Sequence, residues 1–335
     1  IHQDKLTLAL AAYGQQLLVD GGVTMYDKSR WRAYQLLTRA HNTVLVDGMD
    51  QFGENAMAAK VWPLPWAGDR PADSDTLWHS SPGVDYCQGW WKGRWREYVD
   101  SQNPATNATR VLDTVQHRRA VLFIKPGLWV VHDTLFATDQ EPHTAEVLYH
   151  IDAETAAADD DGGVAILATN KDKAGLRLAA RPQPELTVEI VTGKMEPPVQ
   201  GWSANVRRNR QKGIPMSAVP TAIFRQPWQG RSDVVTVVQP FPATETRETR
   251  CVPMACSPEA QAARIEVGAA DAYAWLHSDA PGQAMQAFAD DQGGPVQLET
   301  DGQAAVAGGT GASFRLLLIH GRRVAGPGYA ASVSE

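Results

Sequence analysis

The chain has 335 residues, 28 glycines, 21 prolines, three cysteines and a formal net charge of −7. That length suffices for two domains and a large buried core. The acidic balance disfavours a nucleic-acid partner, which would want a basic face, and the absence of any apolar run of about 18 residues excludes a hydropathic membrane helix. From His2 the chain alternates, with Leu6, Leu8 and Leu10 on one side and Lys5, Thr7 and Ala9 on the other. That is the period of a half-buried strand. A second run, 16–19, ends at Asp20 and is broken by Gly21-Gly22, so the two runs are expected to pair across Tyr13-Gly14. A third strand is expected over 43–46, directly after His41. If these strands pair, His2, Asp20 and His41 converge at one end of a sheet, and two imidazoles with a carboxylate suit tetrahedral Zn²⁺. The plain alternatives are a chain terminus at His2, a turn at Asp20 and a hydrogen-bonded edge histidine at His41.

Residues 52–100 are rich in aromatics: Trp62, Trp66, Trp78, Trp90, Trp91 and Trp95, with Tyr86 and Tyr98. Flat rings of this kind either stack on sugar faces or fill a sandwich core. Lys92, Arg94 and Arg96 alternate with Trp91, Trp95 and Tyr98, so one strand face could offer cations and the other rings. The segments 120–124 and 128–131 are continuous apolar runs hinged at Pro126-Gly127, the pattern of a hairpin buried on both faces. His117 and His132 flank it and are read as core or edge residues. A strand is expected over 146–151, and strand-like segments recur through 164–240, a spacing that fits a large antiparallel sandwich. Arg207, Arg208, Arg210 and Lys212 form a solvated loop or a rim patch for acidic groups. The polar, proline-bearing stretch 241–258 is a plausible boundary, and Cys251 and Cys256 are close enough in sequence for a small disulfide loop. The expectation is all-β: a large antiparallel β-sandwich, supersandwich-like, over 1–245, and a smaller β domain over 246–335.

The succession HxDxLxL, LLVDGG, Tyr26, WRAY (31–34) and AHNTVLVDGMDQ (40–51) resembles the start of the β-sandwich half of heparinase II/III-like polysaccharide lyases. HRRAVLFIKPGLWVVHDTL (117–135) is similar to paired core strands of the same family, and the likeness covers roughly 1–152 well. The resemblance implies a lyase cleaving a uronic-acid glycan by β-elimination, with an acidic polysaccharide or oligosaccharide as substrate. It also implies an α/α toroid ahead of Ile1 that forms the other cleft wall, and a periplasmic or secreted location. It maps Zn²⁺ ligands onto His2, Asp20 and His41, with a mainly structural role for the ion. It places Tyr26 and Arg32 as the local catalytic candidates, with Tyr34 a rival to Tyr26. Trp31, Tyr34, Trp90, Trp91 and Arg94 are the expected substrate contacts. Two other readings remain: a carbohydrate-binding or structural β-sandwich without chemistry of its own, and, less supported, a metal-dependent oxygenase using the His/Asp/His set.

Overall fold

The computed structural model describes residues 2–24, 26–52, 76–97, 110–158, 164–204, 216–245, 248–269, 271–290 and 294–332. Within them the chain is built from antiparallel strands, with one α-helix, Arg30–Leu36, among the described residues. Trp62, Trp66, Tyr98 and the Arg207–Lys212 cations lie outside the described residues.

The centre is an eight-stranded sheet. Its order is Thr155–Ala158, Val164–Asn170, Lys173–Ala180, Arg231–Phe241, Leu128–Ala137, Val115–Ile124, Val84–Trp91 and Leu77–Ser80. On one face lies a four-stranded sheet, Thr187–Thr192, Pro220–Trp228, His143–His150 and Val44–Val46. The core between them contains Val131, Leu135, Leu176 and Val238 from the large sheet and Val147, Tyr149 and Phe224 from the small one. On the other face lies a five-stranded sheet running from Thr249–Pro253 to Arg315–Ile319. It packs Ile265, Tyr273 and Trp275 against Leu122, Val130 and Val237. A last four-stranded sheet, Met285–Phe288 to Tyr329–Ser332, covers the outer face of the five-stranded one through Leu298, Leu276 and Ala305. The fold is therefore four sheets deep.

That stacking explains the apolar runs. Successive strand residues point to opposite faces, so Val130 enters one core and Val131 the other, as do Val237 and Val238. A strand covered on both faces reads as a continuous apolar run, and where it carries a polar residue, as at Arg119 and Asp133, that residue is paired. The hairpin read at Pro126-Gly127 is present, with Leu128 opposite Ile124.

Two local expectations are corrected. The alternating run from His2 does not pair as a strand; only Leu10–Ala12 does, with Gln15–Leu18, across a turn at Tyr13 and Gly14. Leu6, Leu8 and Leu10 do pack on the first core, but the backbone between them is held by side chains and loops. Lys5 N–H donates to Gln51 Oε1 at 2.7 Å, and Thr43 Oγ1 donates to Lys5 O at 2.8 Å. The expected alternation of cations and rings is present over the described residues 91–96, with Trp91 and Trp95 buried in the first core and Lys92 and Arg94 exposed, although the strand itself is interrupted at Gly93. A Cβ there would lie 2.2 Å from the Trp91 indole, which folds back across the turn. Cys251 and Cys256 are separate thiols, with Cys251 buried and Cys256 Sγ donating to Ala260 O at 3.2 Å.

Candidate metal centre and cleft edge

The helix Arg30–Leu36 starts where Ser29 Oγ accepts the Arg32 N–H at 3.2 Å, an N-cap that satisfies one of the free first-turn donors. It buries Tyr34 and Gln35 and leaves Arg30 to solvent. Beyond it a single 3₁₀ turn, Thr38–Ala40, delivers His41 into the interior, where its ring is fully buried. The turn at Asp20 comes up against this segment. Gly21 makes that approach possible, because a Cβ would sit 2.8 Å from Ala40 O and 2.9 Å from Ala40 Cβ. Asp20 Oδ1 accepts the Gly22 N–H at 2.9 Å, which aims its other oxygen at His41. The N-terminal segment is tied alongside: Gln3 N–H donates to Leu36 O at 2.9 Å and Leu8 N–H to Asn42 O at 3.3 Å.

The result is a cluster of donors. One ligand atom from each of His2, Asp4 and His41 lies within 4.8 Å of the other two. His41 Nδ1 is 2.5 Å from Asp20 Oδ2, and its Nε2 is 3.1 Å from Gln35 O. Both partners of His41 are acceptors, whereas a neutral imidazole has one N–H. A neutral ring with its N–H on Nε2 donates to Gln35 O and leaves the Nδ1 lone pair on the side of Asp20, where a nearby cation would satisfy it. Burial raises the Asp20 carboxyl, but the His41 contact and the Gly22 N–H outweigh it and hold Asp20 below the usual carboxylate range. Burial, and then the proximity of His41, lowers His2. A ring kept neutral and a carboxylate kept charged are the forms a metal takes. Two imidazoles with nearby carboxylates fit Zn²⁺. Of the expected ligands, His2 and His41 come together; Asp20 lies against His41 Nδ1, and Asp4, which sequence reasoning passed over, joins the pair.

Arg32 and Tyr26 extend the cluster outward. Arg32 Nη1 donates to His2 Nε2 at 3.1 Å, and its guanidinium stands 4.8 Å over the Tyr26 ring. Tyr26 is 87% exposed. Trp31 is half-buried against Trp202, ring centroids 4.9 Å apart. The other expected contacts sit elsewhere. Tyr34 is only 2% exposed; its hydroxyl meets His150 Nε2 at 3.4 Å and Trp202 O at 3.3 Å. Burial raises its phenol above the ordinary value, and the side chain faces the interior rather than the exposed edge that carries Tyr26. Trp91, 6% exposed, is a first-core residue. Trp90 points to the opposite face of the eight-stranded sheet, since neighbours in a strand alternate; it stacks on Phe136, 5.5 Å away, beneath Arg118. Arg94 is exposed on the small sheet formed by Asp50–Phe52, Arg94–Arg96 and Val111–Leu112, opposite Phe52. Trp91 and Trp90 therefore do not share a face with each other, and of the expected residues Arg32 touches His2 and Tyr26 stacks on Arg32, whereas Trp31 packs on Trp202.

The remaining buried histidines serve the layers. His117 Nε2 meets Asp133 Oδ1 at 2.6 Å, beside Arg119. His132 meets Asp233 at 2.7 Å, and His277 packs against it at 4.8 Å between centroids.

Comparison with known proteins places this architecture. The model of the heparinase II/III-like C-terminal family matches residues 1–200. The heparan sulfate lyase HepC from Pedobacter heparinus superposes with a TM-score of 0.54 at 15% identity, covering 79% of this chain and 35% of that one. A structure described as heparinase III superposes at 0.54 with 12% identity, over 83% of this chain and 36% of that one. At such identities the likeness speaks for the fold, and this chain spans about a third of those proteins. A search of curated proteins returns no significant match. With more than half its length matched by the family model, and with the sandwich that those lyases share, the chain belongs to the heparinase II/III-like family and carries its C-terminal β portion.

Proposed function

We propose that this chain is the β portion of a polysaccharide lyase that cleaves a uronic-acid-containing glycan, of glycosaminoglycan type, by β-elimination. The observation that supports it is the single edge where Tyr26, Arg32, His2 and His41 meet, within the 200 residues that match the family. In β-elimination a base removes the proton at C5, the C4–O4 bond breaks as the C4=C5 double bond forms, and an acid protonates the departing O4. The C5 proton is acidic enough only when the adjacent carboxylate is neutralised. Arg32 supplies a fixed cation at the edge for that carboxylate. Tyr26 presents a phenol to solvent beside it, positioned to exchange a proton with the sugar. His2 and His41, with Asp20 and Asp4 as the carboxylates in reach, hold Zn²⁺, which ties three segments of the cleft floor together. The bound ion supplies positive charge and rigidity there. An acidic glycan meets a chain of net charge −7, so binding depends on local cations such as Arg32 rather than the overall field. An α/α toroid forms the second wall, and the protein works in the periplasm or outside the cell.

The experiment is release of unsaturated uronate from heparan sulfate, chondroitin sulfate and alginate, followed by ultraviolet absorbance. The protein joined to its toroid is compared with Tyr26→Phe and Arg32→Ala. Losses of about 100-fold or more in kcat/KM, with stability unchanged, are expected, in line with general acid–base groups. Wild-type turnover in both variants would refute the assignment. Binding without any product would favour the second reading, a carbohydrate-binding sandwich.

A further inference from the structure

The donor cluster is assembled from three separate segments: the N-terminal run carrying His2 and Asp4, the turn carrying Asp20, and the 3₁₀ turn carrying His41. One side chain touches all three. Asn42 is fully buried, and its Nδ2 donates to Leu8 O at 2.7 Å and to Val19 O at 2.9 Å. Leu8 closes the N-terminal run, Val19 immediately precedes Asp20, and Asn42 itself immediately follows His41.

The other end of the amide is equally occupied. Asn42 Oδ1 accepts the His150 backbone N–H at 2.6 Å and His150 Nδ1–H at 3.1 Å. Because a backbone N–H can only donate and a backbone carbonyl can only accept, the amide has one orientation. His150 is fixed in turn: with its proton on Nδ1, Nε2 accepts from Gln200 Nε2 at 3.1 Å. Gln200 Nε2 also donates to Arg39 O at 2.9 Å, which fastens the start of the His41 turn. The Asn42 backbone is used as well, its N–H on Thr7 Oγ1 at 3.1 Å and its carbonyl accepting from Arg119 Nη1 at 2.5 Å. No polar atom of Asn42 is left over.

From this geometry we propose that Asn42 is the positioning residue of the metal centre, with His150 locking its amide. This rests on the Zn²⁺ reading above and adds to it the group that sets the spacing between ligands. Two hydrogen bonds from one rigid amide fix the spacing of the Leu8 and Val19 carbonyls directly. Asn42→Asp keeps the shape and both His150 contacts but turns an oxygen toward Leu8 O and Val19 O, so the segments move apart. His150→Gln keeps Asn42 and removes the ring that orients it.

The test is zinc affinity. Metal-free protein is titrated against a chromophoric chelator, and its thermal unfolding is measured in parallel. Loss of an outer hydrogen-bonding partner of a metal site weakens affinity about 10–100-fold; that range is expected for Asn42→Asp, and a smaller loss for His150→Gln. Leu276→Ala, in the distant outer core, serves as the stability control: it lowers Tm and leaves zinc affinity within about twofold. Asn42→Asp and His150→Gln proteins that bind zinc as wild type does overturn the positioning role alone. A wild-type chain without stoichiometric zinc, or a His41→Ala chain that binds it normally, overturns the metal reading and this inference with it.

Discussion

Replacing Arg119 by leucine is the sharpest probe of how the site's segments are fastened to the large sheet. Arg119 and Asp133 are both buried, and Arg119 grips Asp133 with two parallel hydrogen bonds, Nε to Oδ1 at 2.7 Å and Nη2 to Oδ2 at 2.9 Å. Its remaining amine donates to Leu6 O at 2.8 Å and Asn42 O at 2.5 Å. Removing one partner of a buried pair typically costs about 3–5 kcal/mol, because the other charge is left uncompensated. The two carbonyls add about 1 kcal/mol each for lost donors. At roughly 2 °C per kcal/mol for a chain of this size, Tm falls by about 6–10 °C from the ion pair alone. The pH dependence separates this from simple loss of packing. Burial by itself raises Asp133, but Arg119 and then His117 outweigh it and hold its carboxyl well below the usual range. In the wild type that contribution is fully present above the ordinary carboxylate value and is lost only as pH falls through the depressed one. Without Arg119 burial is opposed by His117 alone, the carboxyl shifts upward, and the stability deficit becomes larger at high pH. Scanning calorimetry of wild type and Arg119→Leu from pH 8 to pH 5 should show the Tm gap narrowing on acidification. Arg119→Leu with Asp133→Leu should recover more than half of the loss. A deficit under about 1 kcal/mol, or one that is flat across that range, would refute the reasoning.

Trp95 is fully buried, and its Nε1 donates to Val115 O at 3.0 Å; Trp95→Ala should cost about 3–5 kcal/mol by denaturant titration, whereas a sugar-stacking ring would cost little. Acid sensitivity between pH 7 and pH 4 should come from buried histidines. Burial foremost pushes His150 and His277 down to about 3, so between that value and their unfolded value of about 6.5 the unfolded chain takes up protons that the native chain refuses. Stability therefore falls as pH drops through this window, by about 1.4 kcal/mol per pH unit for each of the two. His143 acts in the opposite sense: burial lowers it, but Asp47 and Asp139 outweigh burial and raise it, so its contribution is present at low pH and lost as pH rises. Burial lowers His117 and His132 as well, so the lowered histidines outnumber the raised one, and a guanidinium midpoint that is equal or higher at pH 5 than at pH 7 would contradict that balance.

Much of the architecture was legible in the chain because it follows from periodicity. The apolar runs at 120–124 and 128–131 reflect sheets on both faces: Leu122, Ile124 and Val130 are buried in one core and Val131 in the other, with Val121 and Trp129 partly buried. The Asp20-Gly21-Gly22 turn was legible because paired glycines after an apolar run break a strand, whereas the AHN segment stood out only through its resemblance to the family. Burial of individual aromatics was not legible. Trp90, Trp91 and Trp95 lie within six residues of one another, yet Trp91 and Trp95 enter the core while Trp90, the strand neighbour of Trp91, stands on the other face of the sheet. Alternation separates the neighbours, but which face another sheet covers is decided only when the sheets pack. The same holds for Asp4 and Asn42. Local pattern reports what a residue is next to in the chain, whereas their roles come from segments about twenty to more than a hundred residues away that are brought within hydrogen-bonding distance by the packing of the sheets.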